Sequence, residues 1–115
     1  MTLQDLIKQL EELPAEIARK SEEVENKRLQ YEKQCLITER LEAQKHLEFK
    51  ARDTKLTQAD LKAEIANDDG IHEAKMNCII METNMKKEMS KLTALDNLFT
   101  AYKKLIEAKR IEAKY

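Results

Sequence analysis

Turn-forming residues are nearly missing from this chain: one glycine and one proline in 115 residues, where ordinary usage would supply about 14 of the two together. Sandwiches, barrels and α/β folds need many tight reversals, which this chain cannot make. A single valine, Val24, further argues against strands. Tryptophan is absent and the aromatics are three Tyr and two Phe, so base stacking, one half of single-strand nucleic-acid binding, is poorly provided for. No run approaches the ~18 apolar residues of a membrane span, and the polar opening Met1-Thr2-Leu3-Gln4-Asp5 is unlike a secretory signal. The chain is expected in the cytoplasm, away from membranes. Two cysteines do not make a disulfide framework, and Cys35 and Cys78 are expected as reduced, partly buried thiols.

What is there reads as all-α: a few long helices forming a helical hairpin or coiled-coil-like bundle. Charged residues make up 37% of the chain, 21 basic against 22 acidic. Leu, Ile, Val and Phe supply 26 of 115 residues. That exceeds the ~20% below which a highly charged chain stays disordered, and the net charge of −1 is near zero, so folding is expected. Helices this charged bury only a narrow stripe, and so short a chain sequesters a modest share of its surface. Self-association is therefore expected too.

Thr2 and Asp5 have the spacing of a capping box, and Leu3, Ile7 and Leu10 follow at helical spacing. Pro14 is most economical as the first residue of a new helix, where its missing NH has no partner to lose. This predicts a short helix over 1–13 and a long one over 14–53, about 58 Å at 1.5 Å per residue. On the long helix Ile17, Val24 and Tyr31 repeat every seven residues, and the apolar stripe then shifts to Leu29, Leu36 and Ala43. Residues 54–70 read as a connector: a loop at Asp53-Thr54-Lys55-Leu56, a second capping box at Thr57 and Asp60, and a short helix carrying Leu61 and Ile65. Asn67-Asp68-Asp69-Gly70 would end it, with the glycine in a left-handed conformation and an aspartate capping the next helix.

Residues 71–115 carry the most regular pattern. Ile71, Cys78, Met85, Leu92, Phe99, Ile106 and Ala113 form a seven-residue ladder, with Ala74, Met81, Leu95 and Tyr102 three positions further on, and Glu88 and Lys109 interrupting that second row. Such a period imposes a left-handed supercoil against another helix. The partner can be the Pro14–Arg52 helix of the same chain, or that helix together with further copies. The second alternative makes 71–115 an oligomerisation helix, with Ile71, Cys78, Met85, Leu92, Leu95, Phe99, Tyr102 and Ile106 as its contact residues.

No catalytic constellation is visible. His46 and His72 are the only histidines, no Cys-x-x-Cys or His-x-x-x-His exists, and one glycine cannot build a phosphate loop. Neither an enzyme, a metal site nor a cofactor is expected. An antiparallel hairpin with Asp53 beside Ile71 would set position 35 opposite roughly position 89, about 16 Å from Cys78, too far for a bridge. Charge is uneven: residues 1–25 carry three bases against seven acids, and Lys103–Tyr115 five against two. A basic cluster, Arg40, Lys45, Lys50, Arg52 and Lys55, lies near the end of the long helix among Glu42, Glu48 and Asp53. It reads either as a solvated helix end or as a weak, salt-dependent phosphate contact that needs several copies to bind usefully.

Arg40-Leu41-Glu42-Ala43-Gln44-Lys45-His46-Leu47-Glu48-Phe49-Lys50-Ala51-Arg52-Asp53 resembles the recombination mediator proteins of T-even-type bacteriophages, the UvsY family. The likeness rests on the Arg-Leu-Glu-Ala-Gln-Lys stretch and the Lys-Ala-Arg after it. It continues more weakly through Ala59-Asp60-Leu61, a long downstream helix and Arg110-Ile111-Glu112-Ala113. The resemblance implies a non-catalytic protein of the host-cell cytoplasm that binds single-stranded DNA. It also implies a ring-like homo-oligomer of about six or seven subunits, which helps a RecA-like recombinase displace single-strand-binding protein. Lys50 and Arg52 match the family's DNA-contacting basic pair, with Lys45 a third member. Where the family has tyrosines after the motif and a tryptophan in the later helix, this chain has Asp53-Thr54-Lys55 and Asn77-Cys78-Ile79, so an aromatic contact does not carry over. The alternative reading is a helical adaptor or structural coiled-coil protein with no nucleic-acid role.

Overall fold

The computed structural model describes residues 1–114. They form three α-helices, α1 (Leu3–Arg52), α2 (Gln58–Ala66) and α3 (Asp69–Lys114), with no strand among the described residues. The fold is all-α. At the start of α1 the expected capping box is formed: the Asp5 amide donates to Thr2 Oγ1 at 3.2 Å and the Thr2 amide to Asp5 Oδ2 at 3.0 Å. The Thr2 bonds, backbone first, hold the Asp5 carboxyl below its ordinary value.

Pro14 does not start a helix. The expected division at residue 14 gives way to one helix of 50 residues with Pro14 inside it. An interior proline removes one hydrogen bond and crowds the carbonyl four residues back, at about 3 kcal/mol. Leu6 and Leu13, 2% and 3% exposed, lie on the buried face of the turns that lead into Pro14. Burying a leucine contributes roughly 1.5–3 kcal/mol, so packing of this face outweighs the local preference for a break.

Contacts group the chain into two compact units, each built from both long helices: Met1–Asn26 with the stretch from Lys86 onward, and Lys27–Met85. In the first, α1 and α3 run antiparallel. Ile7 and Leu10 lie beside Lys103 and Ile106 around a shallow pocket of about 230 Å³, and Lys20 meets Glu88. Leu6, Leu13 and Ile106 form its buried core.

In the second unit the helices are again antiparallel: Tyr31 meets Glu82, Cys35 meets Cys78 and Lys45 meets Asp68. Thr57 caps α2 with its capping box complete, and Asn67 closes that helix in the right-handed region, its NH donating to the Ala63 carbonyl while the Asp68 NH donates to that of Ile65. The Ile71 amide donates to Asp68 Oδ1 at 3.0 Å, capping α3 as an aspartate was expected to do. Gly70, however, is not left-handed; it sits in the first turn of α3 without a positive φ, because the Asn67 cap already closes α2. A Cβ at Gly70 would meet Asp68 Oδ1 at 3.2 Å, so the missing side chain gives the capping carboxylate room.

The register also differs from expectation. Position 35 lies opposite 78, not 89, because the 53–57 loop and α2 have length of their own and start α3 opposite Lys45. Phe49 of α1, Leu61 of α2 and Ile71 and Ala74 of α3 are the buried apolar residues of this unit, so all three helices contribute to its core.

A single seven-residue frame runs along α1: positions 3, 10, 17, 24, 31, 38 and 45, with 6, 13, 20, 27, 34 and 41, are all buried or half-buried. The expected stripe shift does not occur, and Leu29, Leu36 and Ala43 are exposed. The frame continues instead through Tyr31, Gln34 and Thr38. Those polar groups are satisfied in place, Thr38 Oγ1 donating to the Gln34 carbonyl at 2.9 Å and the Tyr31 hydroxyl to Glu82 at 3.2 Å. On α3 the ladder holds without a slip from Ile71 to Lys109, while Ala113 is exposed.

Candidate functional site

The basic cluster occupies the last turns of α1 and the loop after it, in the second unit. A helix C-terminus carries partial negative charge, which favours Lys50 and Arg52 in its final turn whatever their further role. The three residues singled out by sequence are in different situations. Lys45 is half-buried between two carboxylates, 3.5 Å from Glu48 and 3.7 Å from Asp68. Lys50 reaches over the helix end and donates to the Leu56 carbonyl at 3.0 Å, closing the loop. Arg52 is exposed, its guanidinium 5.4 Å from the centre of the Phe49 ring, a cation–π stack that leaves donors facing water.

Two neighbours complete the exposed set. Lys55 is held by its backbone, whose NH donates to Asp53 Oδ1 at 2.9 Å, and the side chain is exposed. Arg40 is exposed further back along α1. The exposed cations of the cluster are therefore Arg40, Arg52 and Lys55, with Asp53, Asp60 and Glu64 exposed nearby. Such a set can contact a few phosphates and has nothing to stack a base on except the Phe49 ring, which is itself buried under Arg52.

All eight residues expected for oligomerisation lie on the buried stripe of α3 within the chain itself. Ile71 and Ile106 are buried, and Cys78, Met85, Leu92, Leu95, Phe99 and Tyr102 are half-buried. Large apolar side chains remain exposed in both units: Leu29, Leu36, Ile37 and Leu47 on α1 and Met76, Ile79 and Ile80 on α3 in the second, and Met1 with Met89, Leu98, Leu105 and Ile111 of α3 in the first.

The seam is more polar than its period suggested. Glu88, an interruption by sequence, pairs with Lys20 at 2.9 Å, while Glu23 and Lys91 flank the pair at 2.6 and 3.3 Å. Lys20 is raised above its ordinary value, by Glu23 first and then Glu88, and Glu88 is lowered, by Lys20 first and then Lys91. In the second unit Tyr31, Gln34, Cys35 and Thr38 face Ala74, Cys78 and Glu82. Cys35 and Glu82 push the Tyr31 hydroxyl up to about 12. Sequence reasoning missed this polar layer because it followed hydrophobicity; extending the Ile17, Val24, Tyr31 frame to Thr38 would have found it.

Among the described residues no three of His, Cys, Asp and Glu converge to hold a metal ion, and no helix is long and apolar enough to cross a membrane. Comparison with protein-family models, with curated proteins and with solved structures finds no match to this chain.

Proposed function

We propose that this chain binds single-stranded DNA as a homo-oligomer and serves as a recombination mediator, loading a RecA-like recombinase in place of single-strand-binding protein. One observation carries the reading: the Arg40–Asp53 segment that bears the mediator resemblance ends α1 with Arg52 exposed beside Lys55, at a helix end open to solvent. The three exposed cations of the cluster make a weak site, and each phosphate neutralised on a single strand contributes ~0.7 to the salt slope. Useful affinity then comes from copies joined together. The exposed Leu29, Leu36, Ile37, Ile79 and Ile80 support such association, on the outward faces, with the ladder left to the protomer's own core.

A variant carrying Arg52→Ala and Lys55→Ala tests the reading, because both side chains are exposed and neither closes the loop. Fluorescence anisotropy with a labelled oligonucleotide, across a salt series, should show weaker binding and a shallower slope at unchanged helicity. Undiminished affinity and slope overturn the site. The second reading, a helical adaptor, is favoured by the engagement of Lys45 and Lys50 within the chain. An unaltered chain that fails to bind single-stranded DNA at low salt decides for it.

A further inference from the structure

The second unit sets two thiols against each other across α1 and α3. Cys78 Sγ lies 3.5 Å from Cys35 Sγ, and both side chains are half-buried. Thr38 Oγ1 lies 3.7 Å from Cys78 Sγ, and Tyr31 and Glu82 are bonded to each other one turn away. A cysteine used only as a small apolar filler has no need of a second sulfur opposite. A disulfide requires about 2.05 Å between sulfurs. The remaining closure of about 1.5 Å is within reach of side-chain rotation on two helices already in contact.

We propose that Cys35 and Cys78 are a reversible redox pair that closes an intrachain disulfide and fixes α1 against α3 in the second unit. The oxidant is a small-molecule disulfide such as glutathione disulfide. One cysteine loses its proton to water and attacks a glutathione sulfur, so that a mixed disulfide forms and one glutathione thiolate leaves. The second cysteine, also deprotonated, attacks the protein sulfur of that mixed disulfide, forming the Cys35–Cys78 bond and releasing the second glutathione thiolate. Both thiolates take up the two protons. The protein has lost two electrons and two hydrogens, and the glutathione disulfide has become two glutathione molecules. Burial, with Cys78 second, pushes the Cys35 thiol above its ordinary value, so Cys35 is held toward its protonated form in the reduced chain. The bridge spans 43 residues, long enough to restrict the unfolded chain substantially.

The test exposes the full-length chain to glutathione redox buffers, traps remaining thiols with N-ethylmaleimide and reads intact mass. Oxidised protein should be monomeric on a denaturing, non-reducing gel, about 2 Da lighter than the reduced chain and unalkylated. A peptide map should join the Cys35 and Cys78 peptides. Its thermal midpoint should rise by on the order of 10 °C and return when dithiothreitol is added. Protein alkylated at both cysteines after oxidation, arrested as a stable mixed disulfide, or cross-linked between chains overturns the proposal.

Discussion

Replacing Pro14 with alanine should stabilise this protein, and the sign of the change separates the two structures that could stand at that position. In the continuous helix, Pro14 is an exposed interior residue. Its replacement restores a backbone hydrogen bond to Leu10 and relieves crowding there, worth about 3 kcal/mol. Against this, alanine frees the unfolded chain, which costs about 0.4–1 kcal/mol. The net gain is about 2 kcal/mol, a rise in midpoint of roughly 5–10 °C for a chain of this size. Had Pro14 begun a helix, its fixed φ would suit the site and only the unfolded-state effect would remain, a small loss. Thermal and urea unfolding followed by circular dichroism at 222 nm makes the comparison, at one protein concentration because association shifts the midpoint. Amide exchange adds a local readout, since the new NH at position 14 should be protected. A midpoint that is unchanged or lower, with a fast-exchanging amide, refutes the continuous helix.

Leu61→Ala should cost about 2–4 kcal/mol in equilibrium unfolding, because Leu61 is 1% exposed and is the buried residue of α2; a loss below about 0.5 kcal/mol, ordinary for a surface site, would mean that α2 is not packed. Glu88 predicts an acid effect. Its carboxyl sits below the ordinary 4.5, held down by Lys20 and then Lys91, so its stabilisation is complete above that value and is lost as pH falls through the depressed one. Glu88→Gln should therefore lower the midpoint at pH 7 and converge on the unaltered protein near pH 2; a constant gap across that range would refute the pairing.

Elements whose signals are local were legible in the sequence. Both capping boxes, Thr2 with Asp5 and Thr57 with Asp60, stand where their spacing put them, since capping bonds are made between residues three apart. The α3 ladder was legible for a related reason, because a strict period marks one face regardless of what covers it. What escaped depended on partners distant in sequence. Pro14 reads as a boundary until Leu6 and Leu13 have a helix to pack on. Leu29 and Leu36 read as core until Thr38 and Tyr31 find partners at positions 74 and 82. Gly70 reads as a left-handed cap until Asn67 closes α2 without one. Within the candidate site, the identity of the cations was legible and their availability was not. Lys45 and Lys50 are engaged by Asp68 and by the Leu56 carbonyl, groups whose placement depends on the turn after α1.

The polar layers explain why a repetitive seam settles on one register. A pair of leucine-lined helices can slide by a heptad and recover nearly the same contacts, so period alone leaves several alignments close in energy. In the first unit, sliding α3 by seven residues would move Glu88 away from Lys20 and bring Met81 or Leu95 to its place. A half-buried lysine would then face an apolar side chain and keep only Glu23 of its own helix, and losing the partner across the seam is costly. In the second unit the same slide would set the Tyr31 hydroxyl against position 75 or 89, a lysine or a methionine, neither of which accepts its hydrogen bond as Glu82 does. Each unit thus carries its own register lock, built from residues that weaken the seam if counted only as breaks in a hydrophobic pattern. The outward Leu29, Leu36, Ile79 and Ile80 contain no such lock, so any surface they form with another copy must take its alignment from the charges that flank them.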